Sequence, residues 1–166
     1  MSQPAIVHTD TRDLRSAFGR FATGVTVVTA MSPTGPIGIT VNSFASISLD
    51  PALVSFSLAN DGGRTASFLD AEHYAIHVLD AAQQDTCWAF VSSIDAFAAC
   101  DHQPNRHGVP VLSDTLATFE CRRHITYPGG DHTIVLAEIE HYRWRDGDAL
   151  GFFGGKLTAI QAANQT

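Results

Sequence analysis

Apolar and polar positions along the chain follow two different periods, and the changes from one to the other mark out its elements. In 11–22, Leu14, Phe18 and Phe21 recur at helical spacing, behind the short oxygen-bearing side chains of Asp10 and Thr11 and ahead of Gly24. This predicts a short amphipathic helix. From Val25 the period shortens: GVTVVTAM is rich in β-branched residues, Pro33-Thr34-Gly35 has turn chemistry, and Ile37, Ile39 and Val41 alternate with Gly38, Thr40 and Asn42. Two antiparallel strands are expected there. The alternation continues over 43–49 and 52–58, on either side of Asp50-Pro51, where proline interrupts any ladder, and gives two more.

Residues 64–69 suit one or two helical turns, and 73–79 return to a strand with Tyr74, Ile76 and Val78 on one face. Asp80 is placed to cap a second helix across 81–98, which carries Trp88, Phe90, Val91, Ile94 and Phe97. The polar stretch 99–110, with Pro104, Gly108 and Pro110, reads as an exposed loop. The longest strands follow. Phe119, Cys121, Arg123, Ile125 and Tyr127 are expected on one face, Pro128-Gly129-Gly130 turns the chain, and 132–145 runs back. A last strand, 150–153, is expected to end at Gly154-Gly155. Connections of hairpin length deny a parallel sheet its crossover helices, so the expected class is α+β, mainly β, antiparallel, with peripheral helices. So many strands leave edges that closure into a barrel would remove.

Composition narrows the function classes. The 166 residues, 45% hydrophobic and 16% charged, suit one domain with its own core rather than a disordered chain. A formal charge of −7 gives no electrostatic footprint for nucleic acid. No apolar run approaches the roughly 18 residues that span a bilayer, and the opening MSQPAIVHTD lacks the pattern of a targeting segment, so no membrane association and a cytoplasmic location are expected. Cys87, Cys100 and Cys121 are odd in number and lack CxxC spacing, which points to reduced interior thiols.

The chain has no GxSxG, GxxxxGK[ST], strand-linked GxGxxG or HExxH motif, and Gly154-Gly155-Lys156 is only a fragment of a phosphate loop. Among eight histidines, His73 and His77 are four apart, but on a strand that separates them by about 13 Å, and His102 and His107 fall in the loop. No metal is expected. The segment 38–48 differs in packing Thr40, Asn42, Ser43, Ser46 and Ser48 into strand and bend. This makes an uncharged polar wall that suits either solvent or the hydroxyls, phosphate and ring edge of a ligand.

Five blocks in order, FGRFATGVTVVTA, GITVNSFASISLDPALVSFSL, YAIHVLDAAQQ, GVPVL with ATFEC, and GGDHTIVLAEI, resemble the short-chain flavin reductases, the reductase halves of two-component flavin-dependent monooxygenases. The resemblance covers roughly 14–153. It implies a single domain over 1–166 with its core about 11–157, an antiparallel Greek-key split β-barrel, a homodimer, FMN or FAD as cofactor and NADH or NADPH as reductant. The partner it implies is a flavin-dependent monooxygenase component. The same resemblance places flavin contacts on Thr40, Val41, Asn42, Ser43, Ser57, Leu58, Arg64 and Thr65, with Ser46 and Ser48 toward the phosphate. In its Gly130-Asp131-His132 motif, His132 lies beside the nicotinamide. Where the family often has tyrosine or arginine near the carboxyl end, this chain has Phe152-Phe153-Gly154-Gly155-Lys156. Hydride transfer between two bound rings needs positioning and no protein nucleophile, which fits a site of amides and hydroxyls. A flavin-holding electron-transfer protein and a non-catalytic assembly barrel are the alternatives.

Overall fold

The computed structural model describes residues 10–92 and 95–162, so Ile94 of the expected second helix and the opening 1–9 lie outside the described residues. In chain order the elements are α1 (Thr11–Phe18), β1 (Thr23–Gly24), β2 (Thr26–Ser32), β3 (Gly35–Val41), β4 (Ala45–Leu49), β5 (Ala52–Ala59), α2 (Thr65–Asp70) and β6 (His73–Val78). Then come α3 (Gln84–Ser92), a 3-10 turn (Ala96–Ala99), β7 (His102–Pro104), β8 (Pro110–Leu112), β9 (Ala117–Gly129), β10 (His132–Trp144), β11 (Ala149–Phe153) and β12 (Lys156–Ile160). The chain is mainly β, with few helices, and every paired strand is antiparallel.

Seven strands form one sheet in the order β3-β2-β6-β9-β10-β5-β4, while β1-β11-β12 and β7-β8 make two smaller ones. No ladder joins the edge strands β3 and β4 among the described residues. Yet only residues 42–44 connect them. A flat sheet of that width would set its edges about 29 Å apart, whereas the four Cα steps from Val41 to Ala45 reach at most about 15 Å. The sheet must therefore curl until its two edges approach, and the 42–44 crossing lies where they meet.

Strand β2 is buried along all its length but Met31, because both faces are covered. Val28 and Ala30 pack with Phe56, Phe68, Tyr74, Ile76 and Val135 in one cluster; Val27 packs with Leu79, Cys87, Phe90, Leu112 and Leu150 in another. The second helix is shorter than the expected 81–98: Asp80 caps the turn before it, its carboxylate accepting the Ala82 N–H at 2.9 Å while Gln83 Oε1 accepts the Asp80 N–H at 3.0 Å, α3 runs only from Gln84 to Ser92, and Ala96–Ala99 is a separate 3-10 turn. The three cysteines are free thiols, and burial pushes each of them up, Cys121 to about 12, so none is activated as a thiolate.

The structure departs from strict alternation at three bulges. In β9, Arg123 pairs with Ala137 and Ile125 with Leu136, so the extra residue His124 turns Arg123 and Ile125 to opposite faces, not the shared one expected. In β4, Ser46 pairs with Val54 and Ser48 with Leu53, which parts these two serines in the same way. In β10, Glu140 is the extra residue.

Two further corrections concern elements. The stretch 99–110 is not all loop, since β7 pairs with β8. The chain also continues past Gly154-Gly155, whose φ values of 58° and 79° make a tight hairpin leading into β12. The β7–β8 hairpin is docked by buried polar groups. Thr29 donates to the Pro110 carbonyl; His77 Nδ1 donates to the Val27 carbonyl at 2.9 Å, and its Nε2 accepts the Leu112 N–H at 3.0 Å. No helix among the described residues is long and apolar enough to cross a membrane.

Candidate functional site

The N-terminal helix carries the amphipathic stripe the sequence predicts, but it buries none of it. Asp10 caps α1 by accepting the Arg12 N–H at 2.8 Å, the helix stops at Phe18, and no α1 residue is buried. Phe18 and Phe21 instead form one wall of a cleft of about 780 Å³. Phe44 and Phe152 provide further aromatic surface, and Arg15, Thr23, Asn42 and Ser43 provide the polar part. A smaller hollow of about 220 Å³, lined by Thr40, Val41, Cys87 and Trp88 among others, shares Asn42 and Phe152 with it.

The 42–44 crossing is thus the centre of the cleft, and its geometry is fixed by hydrogen bonds to neighbouring elements. Ser43 Oγ accepts the Ser57 N–H at 2.9 Å and so ties the crossing to β5. Thr40 donates to the Cys87 carbonyl at 2.8 Å and so holds α3 across β3. Gly38, two residues earlier on the same face, lets the ring of Phe90 sit against the strand. Beyond Phe90 lies a separate hollow of about 400 Å³ containing Gly38, Arg64 and Phe97.

The residues singled out in the sequence therefore fall into groups. Thr40, Val41, Asn42 and Ser43 come together at the main cleft and its annex. Ser46 and Ser48 lie on edge strand β4 and point to opposite faces. The Ser57 amide is held by Ser43, and Leu58 is buried in the core. Arg64 donates to the Gly38 carbonyl at 2.7 Å, and the buried Thr65 hydroxyl donates to the Ala59 carbonyl at 2.6 Å; both are engaged within the fold, and neither lines the cleft.

His132 opens β10 after the Gly130-Asp131 turn, opposite Ala59, with its Nδ1 2.7 Å from the Asp131 carboxylate. That hydrogen bond holds the Asp131 carboxyl below its usual range, with a smaller pull from Arg15. The histidines the sequence singles out also separate. His77 is fully buried and bonded to backbone at both nitrogens, whereas His73 stacks on His107.

Sequence reasoning missed Arg15, Thr23 and the aromatic wall of Phe18, Phe21, Phe44 and Phe152. The signal was the aromatic density of FGRF, which helical periodicity assigns to a core. Thr23 carries the buried side-chain polar atom that lacks a hydrogen-bond partner among the described residues.

The flavin reductase like domain family matches residues 18–161, nearly the whole described chain. The chain belongs to that family. An FMN reductase (NADH), SmoA, of Agrobacterium fabrum is 51% identical over 88% of this chain and 84% of its own length. The reductase component of a flavin-dependent trigonelline monooxygenase of Acinetobacter baylyi is 39% identical over 87% of this chain, which spans about half (47%) of that protein. Among solved structures, the Streptomyces globisporus NADH:FAD oxidoreductase SgcE6, in complex with NAD and FAD fragments, superposes with a TM-score of 0.89 at 34% identity, over 98% of this chain and 100% of that one. The five blocks that carried the resemblance thus lie in a flavin reductase-like domain, and the FGRF segment that builds the aromatic wall falls at the start of the match.

Proposed function

We propose that this flavin reductase-like chain is an NADH-dependent flavin reductase that takes FMN or FAD and hands the reduced flavin to a flavin-dependent monooxygenase. The observation that carries this reading is the make-up of the large cleft. Phe18, Phe21, Phe44 and Phe152 offer apolar surface, Asn42 and Ser43 offer neutral donors and acceptors, and Arg15 offers a cation. A flat heteroaromatic ring with a hydroxylated, phosphorylated tail requires that mixture. The volume of about 780 Å³ is also that of a small-molecule site. Thr23 is an independent sign of fit. It lines that cleft, and its buried hydroxyl lacks a partner among the described residues, a lack that costs roughly 1–3 kcal/mol until a polar atom satisfies it.

A bound flavin supplies the ring that accepts hydride from reduced nicotinamide. The chain's part is to bind and orient. Asn42 and Ser43 hold the ring edge, and the aromatic wall excludes water. Arg15 attracts phosphate in a chain whose net charge of −7 would otherwise repel it. His132, its ring oriented by Asp131, positions the dinucleotide. Thr40 and Val41 shape the annex, Ser46 and Ser48 flank the phosphate end along β4, and Ser57 and Leu58 contribute backbone. Of the other two, the Thr65 hydroxyl is spent on the Ala59 carbonyl, whereas Arg64 keeps further N–H donors beside its bond to Gly38 and is the one that can meet a ligand anion.

The same reading carries a single domain, an antiparallel Greek-key split β-barrel, a cytoplasmic location and a homodimer. The curl that brings β3 toward β4 supports the barrel. Exposed apolar side chains such as Phe21 at 77% and Leu49 at 97% support the dimer. Trp88 remains exposed and available to that interface, whereas Phe97 packs edge-on against Phe90.

Mixing the protein with NADH and excess FMN or FAD is expected to consume NADH. Flavin binding without consumption would replace the reading with a flavin carrier, and absence of both would leave an assembly protein. His132→Ala is expected to raise KM for NADH about tenfold while flavin affinity stays within about twofold. Collapse of flavin affinity with unchanged NADH kinetics per bound flavin would reverse the role of His132. Thr23→Val, nearly isosteric, is expected to stabilise the flavin-free protein by about 1 kcal/mol and to weaken flavin binding; calorimetry in both states checks it.

A further inference from the structure

We propose that His73, His107 and Glu140 form a binding site for a divalent transition metal of the zinc class, outside the residues that line the large cleft. Three distant segments converge there. His73 starts β6, His107 lies between β7 and β8, and Glu140 is the extra residue of the β10 bulge, a device that re-aims a side chain out of strict alternation. One ligand atom from each lies within 4.8 Å of the others. His107 Nε2 and Glu140 Oε2 are 3.2 Å apart. Bonds of about 2.0–2.2 Å in a tetrahedron put neighbouring ligand atoms roughly 3.4 Å apart, so this pair already has the spacing an ion requires.

Both atoms already face a cation. Arg106 Nε donates to His107 Nε2 at 2.9 Å, and its terminal nitrogen lies 3.0 Å from Glu140 Oε2. The His107 lone pair is therefore directed outward, and the guanidinium occupies the place an ion would take. Arg106 is 64% exposed and can swing into water. The other charged neighbours are Glu72, beside His73, and Arg122, 4.0 Å from the opposite carboxylate oxygen of Glu140. The His73 and His107 rings stack at 3.7 Å with an interplanar angle of 11°. An ion shared by both must lie near the plane of each ring, so one ring has to tilt; His107, on an exposed loop, is the one with room. Two imidazoles and one carboxylate suit zinc, cobalt or nickel, with water completing the coordination. The bound ion would pin the β7–β8 hairpin to β6 and β10.

The test is titration of the metal-free full-length protein with zinc chloride at neutral pH against a chromophoric chelator, with thermal melts in parallel. One equivalent is expected to bind and to raise Tm. His73→Ala and Glu140→Gln are each expected to weaken binding at least about tenfold and to abolish the Tm increase. Arg106→Ala, which removes the competing guanidinium, is expected to tighten binding. The proposal is overturned if neither the wild type nor Arg106→Ala binds one equivalent. It is equally overturned if zinc affinity survives His73→Ala and Glu140→Gln unchanged, which would assign the metal to other histidines, or if Arg106→Ala binds no tighter than the wild type.

Discussion

Acidification from pH 7 to pH 4 is expected to cost the fold about 3 kcal/mol through His77 alone. Burial, with a smaller push from Arg143, depresses this imidazole to about 4, even though its hydrogen bond to the Val27 carbonyl works in the other direction. The unfolded chain takes up the proton near pH 6.5, and the folded chain does not until about 4. Stability from this residue is therefore complete above 6.5, drains away across that window and changes no further below it. Protonation also destroys the acceptor for the Leu112 N–H, so the β7–β8 hairpin should loosen first. Carboxylates held low, such as Asp80 and Glu140, add their own loss as they protonate at lower pH, so a comparison is needed to isolate His77. Denaturant unfolding of wild type and His77→Leu at pH 7, 5.5 and 4 provides it. The variant is expected to be less stable at pH 7 by roughly 3 kcal/mol, because two buried backbone groups lose their partner, and to lack the decline between 6.5 and 4. Parallel pH profiles for the two proteins would remove His77 as the cause.

Gly38→Ala is expected to destabilise the protein by about 3 kcal/mol, although alanine is usually the better residue in a strand. A Cβ at Gly38 would lie 2.3 Å from Cε1 and 2.4 Å from Cδ1 of Phe90. Phe90 is fully buried and packs edge-on against Phe97 at 5.0 Å, so turning its ring toward the adjoining hollow would break that pair. Relief otherwise comes from moving α3 off β3, which strains the Thr40 bond to Cys87 and reshapes the annex of the cleft. A double-mutant cycle separates steric from backbone effects. Phe90→Ala alone is expected to cost about 3–5 kcal/mol, and adding Gly38→Ala to it should cost nothing further. A Gly38→Ala protein as stable as the wild type would show that α3 adapts without strain.

The legible and illegible parts of the fold separate along physical lines. The strand His73–Val78 shows in the alternation of Tyr74 and Ile76 with His73, Ala75 and His77, because the pleat has a period of two, although 74–77 are buried on both faces. The three bulges do not show, since an inserted residue changes the face of everything beyond it without changing residue type. The β7–β8 hairpin looks like loop in the sequence because Pro104, Gly108 and Pro110 are local breakers; its docking depends on Thr29 and His77, far away in sequence. The strand after Gly154-Gly155 is illegible in the sequence because paired glycines signal a stop and a tight hairpin alike.

At the site, motif resemblance located the 40–43 segment but not its surroundings. Periodicity assigned Phe18 and Phe21 to a core, and only the packed molecule shows that they face a cleft. Arg64 carried the expected cation role, yet its guanidinium is held by Gly38; Arg15, unremarked in the sequence, is the one beside Asn42 and Ser43. By itself, the sequence determined the antiparallel class, the element order over most of the chain and the family. Those properties reside in local period, turn chemistry and ordered motifs. Tertiary structure alone decided which polar groups are consumed by the fold and which are left for a ligand, because that depends on partners brought together by the curl of the sheet from opposite edges and distant segments.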